Sequence, residues 1–244
     1  MKWWILLSRE CLKTKAPQKS KIMWYTNNQF WTPHPIYRWG HRLTNIFCKT
    51  VGRLEARGVH RIPREGGVLF VSNHVSFLDP VIVGSAASRE IHFMARSNAF
   101  DIPGLGKLIS LYNAYPVNRG APDLGALRKT ISLLQAGNAV LMFPEGTRSV
   151  DGTLGKAHDG ACFIADRAGV PTIPVFHSGA ERILPRNSKR LRRSKLNVVF
   201  GEPLELITGE FETRREKYQL MGNQMMDAIA DLRDEMFSES GSPE

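Results

Sequence analysis

The 244-residue sequence predicts an α/β fold, a mostly parallel central sheet flanked by helices, with an N-terminal amphipathic helical segment of membrane-associating character. Three observations carry that prediction. Apolar runs of four or five residues recur from residue 68 onward, helical patterns lie between them, and glycines and prolines punctuate the joins. A strand covered on both faces reads as a continuous apolar run, and intervening helices are the crossovers that parallel pairing requires. The length corresponds to one domain with an appendage, and 42% hydrophobic content supplies a sizeable core and excludes a natively disordered chain.

Residues 1–35 mix lysines and prolines with Trp3, Trp4, Trp24, Tyr25, Phe30 and Trp31 and keep no steady period, so they read as an irregular leader. Tryptophan and lysine together suit a membrane interface. Over 36–54, Ile36, Trp39, Leu43, Ile46, Phe47, Val51 and Leu54 recur at helical spacing with Arg38, Arg42, Lys49 and Arg53 between them, which predicts a basic amphipathic helix. Its apolar stripe has two uses, insertion into a lipid surface or packing on the protein's own sheet. Strands are expected at 68–71, 91–94, 139–143, 172–176 and 196–200. Helices are expected at 80–87, at 123–136 with Asp123 as cap and Gly137 as stop, at 160–168 stopped by Gly169, and at 213–237, where Thr213 and Glu216 form a capping box. The leader and first helix make up residues 1–57 and the main domain 58–244.

Charge narrows the partners. Lys and Arg number 33 against 23 Asp and Glu, a net charge of +10, so an anionic partner is expected: nucleic acid, a membrane surface or a phosphorylated substrate. Residues 1–201 hold 29 basic and 12 acidic side chains, whereas 202–244 hold 4 and 11, which assigns that partner to the first two hundred residues. Arg182, Arg186, Lys189, Arg190, Arg192, Arg193 and Lys195 concentrate it further. Cys11, Cys48 and Cys162 are far apart and neither C-x-x-C nor H-E-x-x-H occurs, so neither a metal site nor a disulfide framework is expected, and a reducing compartment fits. The longest apolar runs are five residues, against roughly 18 for a membrane-spanning helix.

Two segments carry chemistry. After the first long strand comes Ser72-Asn73-His74-Val75-Ser76-Phe77-Leu78-Asp79-Pro80. On one helix His74 and Asp79 would diverge by roughly 140°. Asp79-Pro80, however, reads as a cap and first helical residue, which leaves 74–78 as a loop able to return His74 to Asp79. A carboxylate on one ring nitrogen makes the other a general base. The 139–143 strand runs into Pro144-Glu145-Gly146-Thr147-Arg148-Ser149, where glycine permits close backbone approach and Arg148 offers a fork for phosphate.

Asn73-His74 with Asp79, followed about seventy residues later by Phe143-Pro144-Glu145-Gly146-Thr147-Arg148, resembles the glycerolipid acyltransferase family. Phe93-Met94-Ala95-Arg96 through Pro116-Val117-Asn118-Arg119 is similar to its second block and Gly169-Val170-Pro171-Thr172-Ile173-Pro174-Val175 to its fourth, so the resemblance covers about residues 58–205. It departs at Arg96, where relatives usually carry lysine, at Asn118, which replaces a common aspartate, and at Lys156-Ala157-His158-Asp159-Gly160, which stands for a more basic stretch; His158 and Asp159 read as loop packing.

The resemblance implies acyl transfer from a thioester, acyl-CoA or acyl carrier protein, to a hydroxyl of a glycerol phosphate. His74 would be the base and Asp79 its orienting partner, with Glu145, Gly146, Thr147, Arg148, Arg96 and Arg119 on the acceptor. The acceptor expected is lysophosphatidic acid, with phosphatidic acid as product; glycerol 3-phosphate or another lysolipid is the alternative. No bound cofactor, metal or nucleic acid is implied, and the enzyme is expected on the cytoplasmic face of an anionic membrane, peripheral or monotopic. The substrate hydroxyl is the nucleophile, so no enzyme serine is needed, and no G-x-S-x-G occurs. A non-catalytic basic binding module would not need these residues, and Gly104-Leu105-Gly106 lacks the third glycine of a dinucleotide fingerprint.

Overall fold

The computed structural model describes residues 35–118, 123–185, 190–207 and 209–240, the side chains of 35–39 and 239–240 excepted. The leader expected at 1–35, apart from the backbone of Pro35, lies outside them, as do Arg119, Arg186 and Lys189.

Helix α1 (Pro35–Thr50) leads into strand β1 (Glu55–Arg57), then β2 (Val68–Ser72), α2 (Asp79–Ala86) and β3 (Ile91–Arg96). The short helices α3 (Ser97–Phe100) and α4 (Leu105–Leu111) precede β4 (Ala114–Val117), α5 (Leu124–Gln135), β5 (Ala139–Met142) and α6 (Asp159–Ala168). The described chain closes with β6 (Thr172–Ser178), α7 (Ala180–Ile183), β7 (Asn197–Phe200) and the long α8 (Arg214–Ser240). The seven strands form one sheet in the order β1-β7-β6-β2-β5-β3-β4, parallel throughout except between β6 and β7.

Every residue of β2 is buried because the strand is central and both faces are covered. Val68 and Phe70 join Ile82, Val83, Val175 and Phe200 on one face. Leu69 and Val71 join Leu134, Ile164, Met221, Met225 and Ile229 on the other, beneath α5, α6 and α8. Tyr218, Met221, Met225, Ile229, Leu232 and Met236 recur at three or four residues along α8, which is how that helix keeps one continuous buried face.

Its start is half the capping box: the Glu216 amide donates to Thr213 Oγ1 at 3.1 Å. Asp123 caps α5 as expected, its carboxylate accepting from the Ala126 amide at 3.0 Å, and α6 stops at Gly169 in the left-handed conformation.

Two expectations need correction. Asp79 is not the cap of α2: that place falls to Leu78, and Asp79 is the first helical residue with its carboxylate turned back over the preceding loop. Nor does α1 run on to Leu54. The helix ends at Thr50, before the chain turns through Gly52 and Arg53 (φ 43°) into β1. Phe47 and Leu54 do pack on the core, but Leu43 and Ile46 stay 64% and 59% exposed. The face that meets α2 is polar: His41 Nε2 lies 3.1 Å from the Gly84 carbonyl oxygen, Asn45 Nδ2 donates to the Ser85 carbonyl at 3.0 Å, and Cys48 is buried beside them. These side chains satisfy carbonyls in the last turn of α2, which have no partner within their own helix.

His92 in β3 carries a pH dependence. Burial first, then the positive charge of Lys129, lower its pKa from 6.5 to about 4, against the opposing hydrogen bond that the ring donates to the Asn138 side chain. Between those values the unfolded chain takes up a proton that the folded chain refuses, so stability falls as pH drops from about 6.5 to about 4. Denaturant midpoints across that range should show the fall, and His92→Gln should flatten it.

Candidate active site

The strand order collects the chemistry. Strands β3, β5, β2 and β6 run in the same direction, so their carboxyl ends lie along one edge of the sheet. Asn73-His74 leaves β2 there, Phe143 to Arg148 leaves its neighbour β5, and Arg96 ends β3. Ligand sites of open α/β sheets form at this edge, where the chain departs to both sides of a central strand.

His74 and Asp79 meet as the loop reading anticipates. His74 Nδ1 lies 2.7 Å from Asp79 Oδ2, and the carboxylate is fully buried. The same oxygen accepts from the Val75 amide at 2.7 Å and the Ser76 amide at 2.8 Å. Asp79 therefore folds its own approach loop around itself and fixes the imidazole with Nδ1 protonated, leaving Nε2 for a substrate proton. Phe143 stacks on the ring at 4.0 Å between centroids, restricting its rotation.

The β5 loop grips the His74 backbone on both sides. The His74 amide donates to Glu145 Oε1 at 3.2 Å, and the Ser149 amide donates to the His74 carbonyl at 2.7 Å. Glu145 Oε2 takes the Gly155 amide at 3.0 Å, and the whole side chain is buried. Glu145 thus faces the protein's own backbone; a carboxylate would in any case repel an acceptor phosphate, and its geometry is that of a clamp. Sequence reading missed Ser149 as a contributor because its contact is made by the amide, which every residue but proline possesses.

Arg148 also joins the two loops, its guanidinium 3.6 Å over the ring of Phe77, an aromatic side chain that is 70% exposed. Gly146 and Thr147 are exposed at the turn. Gly146 has φ 65°, and a Cβ there would lie 2.9 Å from His158 Cδ2, so glycine is required on conformation and on space. His158 packs as a loop residue, its amide donating to the Pro144 carbonyl at 2.9 Å. Arg96 is exposed at the end of β3; Arg119 lies outside the described residues. Among the described residues no group of three or more His, Cys, Asp or Glu comes together to hold a metal ion.

The model of the family described as Acyltransferase matches residues 53–178. The chain is similar to the chloroplastic 1-acyl-sn-glycerol-3-phosphate acyltransferase BAT2 of Brassica napus, 31% identical over 156 residues that span 62% of this chain and 45% of the Brassica protein. It thus covers under half of that relative's length. It is 24% identical over 203 residues to the 1-acyl-sn-glycerol-3-phosphate acyltransferase of Bacillus subtilis, covering 82% of this chain and 98% of that one. Among solved structures, the 1-acyl-sn-glycerophosphate (LPA) acyltransferase PlsC of Thermotoga maritima superposes with a TM-score of 0.61 at 25% identity, over 81% of this chain and 78% of that one.

Glu145→Ala should destabilise the fold by about 1–3 kcal/mol, since two amides lose a buried acceptor, whereas Glu145→Gln keeps one acceptor oxygen and should lose less. Unfolding midpoints give the ranking, and faster hydrogen exchange at the His74 and Gly155 amides locates the loss.

Proposed function

The chain belongs to the acyltransferase family, and from that premise we propose that it transfers an acyl group from a thioester to the free hydroxyl of 1-acyl-sn-glycerol 3-phosphate, giving phosphatidic acid for phospholipid biosynthesis. The observation that carries the reading is the buried Asp79 carboxylate 2.7 Å from His74 Nδ1, on a loop gripped by the Glu145–Ser149 turn.

In this mechanism His74 Nε2 takes the proton of the acceptor hydroxyl as its oxygen attacks the thioester carbonyl. The new C–O bond forms, the C–S bond breaks, and the leaving thiolate recovers the proton from the imidazolium, so acid and base work fall to one ring. Asp79 stabilises the imidazolium between the two steps. Arg148 serves the acceptor phosphate, with its plane set by Phe77, and the family resemblance assigns Arg96 and Arg119 to the same acceptor. The donor is acyl-CoA or acyl carrier protein, both anionic beyond the neutral pantetheine arm that carries the thioester, in keeping with the basic first two hundred residues. The catalytic domain comprises residues 58–244 and uses no bound cofactor.

Purified protein should acylate lysophosphatidic acid in preference to glycerol 3-phosphate and other lysolipids in a radiolabel assay. His74→Ala should lower kcat on the order of 10²–10⁴-fold, and Asp79→Asn should lower it strongly but less completely. Near-native turnover by His74→Ala would falsify the assignment of the base.

The enzyme works from an anionic membrane surface on the cytoplasmic face, as a peripheral or monotopic protein. No helix among the described residues is long and apolar enough to cross a membrane, while α1 presents Leu43 and Ile46 outward between Arg42 and Lys49, all exposed. Replacing both Leu43 and Ile46 with glutamate should release the protein from anionic vesicles in sedimentation while leaving its melting temperature near native, because neither side chain is packed.

A further inference from the structure

We propose that His177 is a positioning residue for the His74–Asp79 pair, a second and buried imidazole whose Nε2–H anchors the Asn73-His74 turn from beneath the Asp79 carboxylate. The inference rests on the reading of His74 as base and Asp79 as its partner.

His177 lies near the end of β6, beside β2 in the sheet, and is 1% exposed. Its ring nitrogen Nε2 stands 3.0 Å from the Asn73 carbonyl oxygen. A carbonyl only accepts, so Nε2 carries the hydrogen. The same nitrogen is 3.7 Å from Asp79 Oδ2, which brings the positive end of the N–H bond towards the carboxylate. The other ring nitrogen, Nδ1, is buried without a hydrogen-bond partner.

Asn73 returns the contact. Its side-chain Nδ2 donates to the His177 carbonyl at 3.0 Å, and its Oδ1 accepts from the His177 amide at 3.0 Å. The regular β2–β6 ladder reaches Ser72 opposite Val175. Just beyond it, where β2 must turn away to present His74, three bonds between Asn73 and His177 replace the ladder. The anchored residue is the one immediately before His74, so its carbonyl sets where the catalytic turn begins.

Packing alone does not call for histidine here. Ile173 and Val175 on the same strand and Val198 on β7 opposite are fully buried and apolar, and a branched aliphatic side chain would fill such a strand position without burying a bare Nδ1. A buried polar atom without a partner is unfavourable, so the ring carries a penalty that its other nitrogen must offset. What that nitrogen holds is the backbone of the catalytic turn and the flank of Asp79.

Nitrogen-15 spectra of the histidine-labelled native protein should show His177 with hydrogen on Nε2 and a bare Nδ1; the opposite tautomer overturns the proposal. Kinetics of three variants test its consequence. Glutamine can place an amide nitrogen where Nε2 stands, asparagine reaches only the position of Nδ1, and leucine fills the space with no donor. His177→Leu and His177→Asn should lower kcat by about 10- to 100-fold, as expected for a misplaced reacting group, with KM for acceptor and thioester within about threefold of native. His177→Gln should recover most of the loss. Native turnover in His177→Leu, or glutamine no better than asparagine, overturns the proposal. Should His177→Leu fail to fold, the glutamine–asparagine comparison and the native tautomer still decide. His74→Ala assayed alongside keeps the two readings apart: if it stays active, the base assignment falls, while the tautomer still tests the anchor by itself.

Discussion

The Asp79 carboxylate is the constraint on which the site depends. A carboxylate removed from water carries a penalty of several kcal/mol unless hydrogen bonds and opposite charge replace the solvent. Asp79 is fully buried, and one of its oxygens receives the Val75 amide, the Ser76 amide and His74 Nδ1. Its place in the first turn of α2 adds the positive end of that helix. The groups that compensate the buried charge are therefore the groups that shape the loop carrying His74, so stability and imidazole alignment rest on the same contacts. Replacing the aspartate disturbs the backbone path of residues 74–76 as well as the histidine.

Around that carboxylate the sheet supplies rigidity. The His74 amide and carbonyl are both held by the β5 loop, through Glu145 and Ser149, and the residue before it is tied to β6 through Asn73. A reacting group carried on a loop gains the precision of a strand when its backbone is bonded to the neighbours on either side. Phe143 stacked on the ring and Arg148 stacked on Phe77 extend the same principle to side chains, each limiting a side-chain rotation.

The outer surface divides by function. The acidic final segment is largely α8, whose buried face of methionine, isoleucine, leucine and tyrosine closes one side of the sheet while its charges face water. The basic majority of the chain includes the edge that carries the site. Helix α1 joins these regimes: His41 and Asn45 bond the last turn of α2, whose first residue is Asp79, while Leu43 and Ile46 remain outward.

The sequence by itself determined the fold class, the five strands with long apolar runs, the caps at Asp123 and Thr213, the stop at Gly169, and the residue types of the site. Each of these depends on local chemistry: a strand buried on both faces needs a continuous apolar run, and a cap needs an oxygen at one place. Strands β1 and β4 were not legible because edge strands pair on one side only. Glu55–Arg57 is wholly exposed, and Ala114–Val117 contains Pro116, which an edge tolerates. The direction of each side chain was equally out of reach. That the Glu145 carboxylate takes two backbone amides could not be read from its motif; the stripe of α1 reads as one face, yet Phe47 packs inward while Leu43 and Ile46 stay outward. Only the tertiary structure decided these, because an acceptor oxygen or an apolar face acquires its role from what lies opposite it, and the neighbours that matter are strands and loops about seventy to a hundred residues away, brought together by the order β6-β2-β5-β3.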